Sequence, residues 1–206
     1  MKYTNLIYDF DGTLSDSYPI FTKALLIFLE RRGIQETYDE ALRRLKISVG
    51  AALRSYPLEG DEKEISREYR SIREELAREE MKPIDGAEEL LRHVVENGGQ
   101  NFLYTHTRNF AWDMLEAWGL KKYFVDGVTG SDHFPRKPAP DALCHLVTKH
   151  SLPLDKTLMV GDRDIDVDAG HNAGMKGILL DPDGFYTAYN PDFRVDSLTE
   201  IIDVID

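Results

Sequence analysis

Two carboxylates, Asp9 and Asp11, stand one residue apart after a short apolar run, Leu6-Ile7-Tyr8. The run has the composition of a buried strand. In an extended backbone, side chains two positions apart point the same way, so both acids face one side. Gly12 then permits a sharp turn, because it lacks the Cβ that penalises positive φ. Parallel α/β sheets bind ligands at the ends of such strands, and the stretch therefore predicts a site.

A second acidic cluster follows a later apolar run. Four acids lie within seven residues, namely Asp162, Asp164, Asp166 and Asp168. Two carboxylates about 4 Å apart repel by roughly 4 kcal/mol at an effective dielectric constant of 20. Acids from this cluster that meet Asp9 must therefore share a cation, and carboxylate oxygens suit Mg²⁺. For Asp164 and Asp168 the alternative is a helix N-terminus, where the helix dipole favours negative charge.

Hydroxyl and cationic side chains follow two further segments. Thr105 ends the apolar run 101–105, where its hydroxyl can bond a ligand oxygen or make a local turn bond. His106 and Arg108 come directly after it and are candidates to face a substrate. Lys137 precedes Pro138 at the start of a predicted helix. It is either a fixed ammonium that offsets negative charge at the site or a solvated surface lysine.

These residues need a fold that brings distant strand ends together. Short apolar runs predict strands at 6–8, 101–105, 123–128, 157–160 and 177–180, with helical periodicity between them. Asp85 is expected to cap the helix that runs to Asn97, and a last helix is expected at 198–204. The alternation of strand and helix predicts an α/β core, a Rossmann-like doubly wound parallel sheet with helices on both faces. Residues 19–82 show no strand pattern and predict an inserted, all-helical segment.

Composition narrows the class of protein. The 206 residues are 42% hydrophobic and 30% charged, as in ordinary globular proteins. The net charge of −12 argues against a nucleic-acid partner, because such binding depends on basic surface. We find neither an apolar run near ~20 residues nor a basic, apolar leader, and we expect a cytoplasmic protein without a membrane partner. The single cysteine, Cys144, is expected to be a buried thiol.

Four stretches resemble, in order, the motifs of the haloacid dehalogenase (HAD) superfamily, most of whose members are phosphatases. They are DFDGTLSDS at 9–17, LYTH at 103–106, RKPAPD at 136–141 and VGDRDIDVDAG at 160–170. The resemblance spans essentially the whole chain. It implies that Asp9 is a nucleophile that forms an aspartyl-phosphate and that Asp11 is the general acid and base. The dehalogenases proper lack an acid at the position of Asp11, so its presence points to phosphoryl transfer.

The resemblance also implies the remaining parts of the site. Thr105 and Lys137 would hold the phosphoryl oxygens. Mg²⁺ would be bound by side chains from the first and fourth motifs and by one backbone carbonyl, the metal residues being Asp9, Asp11, Asp162 and Asp166. Asp162 would bind the metal directly, whereas Asp166 would support the direct ligands or bind the metal through a water molecule.

The helical insertion lies where this superfamily places a type-1 cap, between the first and second motifs. The resemblance therefore implies a HAD-like α/β core of residues 1–16 and 83–206 and a helical cap domain of residues 17–82. Such a cap would exclude water and select the substrate. Lys46 and Ser48, near a break in the cap, are candidates to bind the substrate together with His106 and Arg108.

The expected function is that of a Mg²⁺-dependent phosphatase acting on a small phosphorylated metabolite, similar to the phosphoglycolate phosphatases. Two alternatives stay open. A phosphomutase of the β-phosphoglucomutase kind shares all four motifs, and a non-catalytic phosphate-binding regulatory module also uses an acidic pocket with a lysine. We expect a monomer or a homodimer.

Overall fold

One parallel sheet holds the polar strand ends. The computed structural model describes all 206 residues, with nine α-helices and six β-strands. The strands are β1 Asn5–Tyr8, β2 Gln100–Tyr104, β3 Phe124–Val128, β4 Thr157–Gly161, β5 Lys176–Leu180 and β6 Phe193–Val195. Their order in the sheet is β3-β2-β1-β4-β5-β6, and every neighbouring pair is parallel. The order reverses between β1 and β4, the position at which doubly wound sheets open a crevice for ligands.

The predicted doubly wound α/β fold is confirmed, and all five predicted strands are present. The sixth strand, β6, was not predicted. It has only three residues and lies at the edge of the sheet, and its middle residue, Arg194, is exposed. So short a segment contributes one buried apolar side chain, that of Val195, which is too weak a pattern to detect from sequence.

The chain divides into two compact units. The first comprises Met1–Ser15 and Pro83–Asp206 and contains the whole sheet. Its helices are α5 Ala87–Glu96, α6 Phe110–Ala117, α7 Asp141–His150, α8 Asp164–Asn172 and α9 Glu200–Ile205. The second unit, Asp16–Lys82, is purely helical, with α1 Tyr18–Glu30, α2 Tyr38–Ile47, α3 Val49–Arg54 and α4 Glu62–Glu80.

Each unit has its own apolar core. In the first, side chains of the central strands pack against α7, where Leu143 and Leu146 are fully buried. In the second, apolar stripes of α1 to α4 form a separate cluster. Tyr69 anchors that cluster: its ring is 1% exposed and its hydroxyl donates to the Phe21 carbonyl at 3.1 Å. Asp61 caps α4, because its side chain accepts the backbone N–H groups of Lys63 and Glu64.

Three local expectations were wrong. The N-cap of α5 is Gly86 rather than Asp85, because the chain enters this helix with a φ of 84° at residue 86, which favours glycine. Cys144 is exposed, since it lies on the face of α7 away from Leu143 and Leu146. The last helix begins at Glu200, two residues later than expected. No helix combines the length and the apolar character that crossing a membrane requires.

Candidate active site

Asp9 and Asp162 follow neighbouring strands at the point where the strand order reverses. Tyr8, the last residue of β1, lies opposite Val160 of β4, and the Asp9 N–H donates to the Val160 carbonyl at 2.9 Å. This register brings both acids to the same edge of the sheet. The paired residues are about 150 positions apart in sequence, so the site forms only when β1 and β4 pair.

The chain turns sharply after Asp11. Gly12 has a φ of 79°, in the left-handed region that favours glycine. The N–H groups of Leu14 and Ser15 both donate to the Phe10 carbonyl, at 3.0 and 2.9 Å, and so close the turn. The Asp11 carboxyl is thereby held beside the site, where its Oδ2 accepts a hydrogen bond from the Thr107 hydroxyl at 2.6 Å.

Three carboxylates form an acidic cluster. Asp9, Asp162 and Asp166 each place an oxygen within 4.8 Å of the others. Asp9 is 2% exposed and Asp166 is fully buried. Asp166 can approach because Gly161 has no side chain: a Cβ at residue 161 would lie 2.2 Å from the Asp166 Cβ. Buried carboxylates this close repel one another, so the cluster requires positive charge.

Lys137 supplies part of that charge. Its ammonium lies 2.8 Å from Asp9 Oδ1 and 2.8 Å from Asp166 Oδ1, and all three side chains are almost fully buried. Burial lowers the pKa of Lys137, but the attraction of Asp166 and Asp9 outweighs it and raises the pKa above its ordinary value. The lysine therefore stays charged between the two acids.

The two oxygens of the Asp9 carboxylate differ in their contacts. Asp9 Oδ2 is buried and accepts no hydrogen bond, whereas Oδ1 is bound by Lys137. The Arg163 guanidinium lies 3.7 Å from Oδ2. The three acids of the cluster face two cations, Lys137 and Arg163, which leaves one formal negative charge uncompensated. An all-oxygen donor set with that deficit fits a hard divalent cation.

Thr105 is buried at the end of β2, and its hydroxyl oxygen accepts the Thr107 N–H at 3.0 Å. The local turn bond that the sequence left open is therefore present. This bond occupies a lone pair of the hydroxyl and leaves its proton to be donated elsewhere. Thr105 thus remains able to bond a ligand oxygen, and its role toward substrate stays a prediction.

Both ring nitrogens of His106 contact other groups of the protein. Its Nε2 accepts the backbone N–H of Lys137 at 2.9 Å, and its Nδ1 lies 3.2 Å from the Arg136 guanidinium. Burial, together with the nearby charges of Lys137 and Arg136, lowers the pKa of His106 to about 3. The imidazole is therefore neutral at pH 7. This arrangement favours an anchoring role for His106 over the predicted contact with substrate.

The other predicted substrate residues lie outside the acidic cluster. Arg108 is exposed on the loop after β2. Lys46 and Ser48 belong to the helical unit. Ser48 caps α3, because its hydroxyl accepts the Ala51 N–H at 3.0 Å. The Lys46 ammonium lies 5.7 Å from the centre of the Tyr18 ring. Their assignment to substrate binding also stays a prediction.

Two residues at the site escaped the sequence analysis, Thr107 and Arg163. Both lie in or next to motif stretches, but at positions where the motif itself specifies nothing. Thr107 contacts Asp11, which is 96 residues away in sequence, and Arg163 approaches Asp9 from the segment between the neighbouring strand β4 and helix α8. No periodicity or spacing in the sequence marks either contact, because both depend on the sheet register.

A buried lysine among carboxylates, at the switch point of a doubly wound sheet, places the chain among α/β proteins whose ligand site lies at the carboxyl edge of the strands. A family model for the haloacid dehalogenase-like hydrolases matches residues 6–180. The chain therefore belongs to the haloacid dehalogenase-like hydrolase family and is an enzyme of the hydrolase class. The superfamily predicted from the four motifs is confirmed.

Individual relatives agree with the family. A phosphoglycolate phosphatase from Vibrio parahaemolyticus is 32% identical over 97% of this chain and 95% of its own length. The structure of a hydrolase from Streptococcus pneumoniae is 30% identical, with a TM-score of 0.66 over 86% of this chain and 92% of the other. A structure described as a predicted phosphoglycolate phosphatase from Haemophilus somnus shares the fold, with a TM-score of 0.86 and 20% identity over 100% and 99% of the two chains.

Proposed function

We propose that this phosphatase hydrolyses a small phosphomonoester with Mg²⁺ and forms a phosphoaspartate at Asp9. The observation that carries the proposal is the contrast between the two oxygens of Asp9. Oδ2 is buried and accepts no hydrogen bond, whereas Oδ1 accepts one from Lys137. A carboxylate held by one oxygen presents the other in a fixed direction, as a nucleophile requires. The position of this oxygen beside two further acids, Asp162 and Asp166, supports the presence of a cation.

In the first step, Asp9 Oδ2 attacks phosphorus and the ester oxygen leaves. Lys137 binds one phosphoryl oxygen and offsets the charge that develops there. The Thr105 hydroxyl donates a hydrogen bond to another phosphoryl oxygen. Asp11 gives its proton to the leaving oxygen. In the second step, Asp11 takes a proton from water, which hydrolyses the acyl phosphate and restores Asp9.

Asp9, Asp162 and the backbone carbonyl of Asp11 would hold the cation, with Asp166 in support. When bound, Mg²⁺ supplies positive charge that lets an anionic carboxylate approach an anionic phosphoryl group. Arg163 adds to the positive charge on the Oδ2 side of Asp9. The helical unit Asp16–Lys82 serves as the cap that selects the organic part of the substrate.

The relative from Vibrio parahaemolyticus makes 2-phosphoglycolate the first substrate to test. A small anionic ester also fits a protein in which the site supplies two fixed cations, Lys137 and Arg163. The test is a panel of phosphorylated metabolites scored for release of inorganic phosphate, with and without Mg²⁺. Isomerisation of a sugar phosphate with little free phosphate would instead support the mutase alternative.

Asp9→Asn is the decisive variant in this assay. The amide is nearly the same size but is a poor nucleophile, so we expect a folded protein with turnover reduced by at least about 10³-fold. Asp168→Asn is the matched control, because Asp168 lies in the same acidic stretch but accepts the Tyr189 hydroxyl, at 2.6 Å, outside the cluster. Normal turnover by Asp9→Asn, or equal losses in both variants, would exclude the proposed nucleophile.

A further inference from the structure

The Asp11 carboxyl is held by a residue to which neither the four motifs nor the mechanism assigns a part. The Thr107 hydroxyl donates to Asp11 Oδ2 at 2.6 Å, within the short range expected for a hydroxyl bonded to a carboxylate. Thr107 is 8% exposed. The bond is therefore formed by a largely buried donor with little competition from water.

Hydrogen bonds hold both backbone groups of Thr107. The Thr107 N–H donates to the Thr105 hydroxyl at 3.0 Å, and the Thr107 carbonyl accepts the Gly130 N–H at 3.0 Å. Gly130 packs so closely that a Cβ there would lie 2.3 Å from the His106 carbonyl oxygen. The backbone of Thr107 is thus held by contacts that do not involve Asp11.

The backbone of Asp11 is fixed as well, by the turn at Gly12. What remains free at Asp11 is rotation of its side chain, and the hydrogen bond from Thr107 removes that freedom. A proton donor that can rotate spends only part of its time facing the leaving oxygen, and misplacement of about 1 Å can cost about 100-fold in rate. A fixed carboxyl avoids that loss.

We propose that Thr107 is a positioning residue for proton transfer: its hydroxyl orients the Asp11 carboxyl toward the oxygen of the leaving group. The proposal rests on the proposed function, in which Asp11 is the general acid. Loss of the hydroxyl should therefore harm substrates in proportion to their need for a proton, while binding of the phosphoryl group should be unchanged.

Two similar esters make this measurable, phenyl phosphate and p-nitrophenyl phosphate. Phenolate is the poorer leaving group and gains more from protonation, whereas p-nitrophenolate leaves readily without it. Values of kcat/KM report only the steps up to departure of the leaving group, so the later hydrolysis of the phosphoenzyme does not enter. Because the natural substrate is not used, the test is independent of its identity.

We expect Thr107→Val to lower kcat/KM for phenyl phosphate about 10- to 100-fold, as for a misplaced proton donor, and for p-nitrophenyl phosphate less than about 3-fold. Thr107→Ser keeps the hydroxyl and should stay within about 3-fold of the native enzyme for both. Thr157→Val is the matched control. The buried Thr157 hydroxyl donates to the Pro153 carbonyl at the amino end of β4, whereas the acidic cluster lies at the carboxyl ends of the strands.

Asp11→Asn distinguishes a failure of the positioning role of Thr107 from a failure of the proposed acid role of Asp11. If Asp11 is the general acid, that variant shows the same selective loss, and adding Thr107→Val to it costs less than about 2-fold more for phenyl phosphate. If Asp11→Asn harms both esters equally, the acid role of Asp11 fails. If it is selective but Thr107→Val harms both esters equally, has no effect, or adds its full loss to Asp11→Asn, the positioning role of Thr107 is overturned.

Discussion

At the scale of residues, charge compensation between Lys137 and two buried acids governs the site. The side chain of Lys137 is fully buried, and its ammonium bridges Asp9 and Asp166 at 2.8 Å each. Removing one member of such a group leaves uncompensated charge in a medium of low polarity, which is far more costly than breaking an exposed ion pair.

We therefore expect Lys137→Met to lower the free energy of unfolding by about 3–5 kcal/mol at pH 7, measured by urea unfolding. Added Mg²⁺ should recover part of the loss, because a bound cation replaces the missing charge. Lys149→Met is the control: Lys149 pairs with Asp126 at 2.7 Å but is half exposed, and its loss should cost less than about 1 kcal/mol. Equal effects in the two variants would contradict this account of the buried charges.

His106 gives the stability a specific dependence on pH. Its pKa is about 3 in the folded protein, against about 6.5 in an unfolded chain, so below pH 6.5 the unfolded state binds a proton that the folded state does not. Stability should therefore fall as the pH decreases from about 6.5 toward 3, by about 3 kcal/mol from this group at pH 4.

His106→Gln isolates that contribution, because glutamine offers an acceptor to the Lys137 N–H but does not titrate. We expect the free energy of unfolding of the variant to fall less steeply than that of the native protein between pH 6.5 and 4, with the carboxylates contributing equally to both. Parallel curves for the two proteins would show that His106 accepts a proton in the folded state at its ordinary pKa.

The sequence predicted the residues of the acidic cluster but not the contacts around it. Asp9, Asp162 and Lys137 stand in motifs whose residue types announce chemistry. His106 ends the second motif but was expected to contact substrate, and Thr107 follows that motif without belonging to it. Their roles follow from partners about 30 and 96 residues away, which only the folded chain brings together.

At the scale of elements, the junction of β4 and α8 carries the close approach that forms the cluster. Gly161 ends β4 and Asp166 lies in the first turn of α8, and no side chain fits between them. The helix also receives the Asp166 carboxylate at its N-terminus, where Oδ2 accepts the Arg163 N–H at 3.1 Å.

Gly161→Ala tests this junction. We expect a loss of about 1–3 kcal/mol in unfolding free energy from overpacking and, in addition, at least about a 100-fold fall in kcat as Asp166 is displaced. Gly127→Ala is the matched control, since a Cβ there would lie 2.6 Å from the Leu103 Cβ, in the sheet and away from the cluster. It should lose similar stability but keep kcat within about 3-fold. Full activity in Gly161→Ala would show that the junction tolerates a side chain.

Strands that consist of a continuous apolar run could be predicted from the sequence, whereas elements without a clear hydrophobic pattern could not. The buried strands β1, β2, β4 and β5 are continuous apolar runs, which is typical of a parallel sheet covered on both faces. β6 and the start of α5 depend instead on edge pairing and on a positive φ at Gly86. Neither of these properties leaves a periodic pattern in the sequence.

At the scale of the whole molecule, the helical unit enters and leaves the first unit at one place. Ser15 and Pro83 form an isolated antiparallel bridge, and the Ile84 N–H donates to the Leu14 carbonyl at 2.9 Å. Both pairs belong to the first unit, whose apolar core is separate from that of the helices. The ends of the insertion are therefore adjacent in the fold.

We expect the first unit to fold when residues 16–82 are replaced by a short Gly/Ser linker, because none of its strands is removed. The shortened protein should unfold cooperatively by circular dichroism and should still hydrolyse p-nitrophenyl phosphate, with weaker discrimination among natural esters. The same protein with Asp9→Asn is the control for activity. A chain without cooperative unfolding would show that the insertion is required for the fold.

The adjacency of Ser15 and Pro83 also bears on how the chain reaches its native state. β1 must find β2 across the 95 positions that separate Asn5 from Gln100, and 67 of these belong to the helical unit. Once the helices have formed, the Asp16 N–H is bonded to the Lys82 carbonyl at 3.0 Å, and the loop to be closed is effectively shorter by that stretch. The saving in closure entropy is about 1 kcal/mol. Early helix formation should thus hasten strand pairing, and pulsed hydrogen exchange during refolding should protect the amides of α1 and α4 before those of β1.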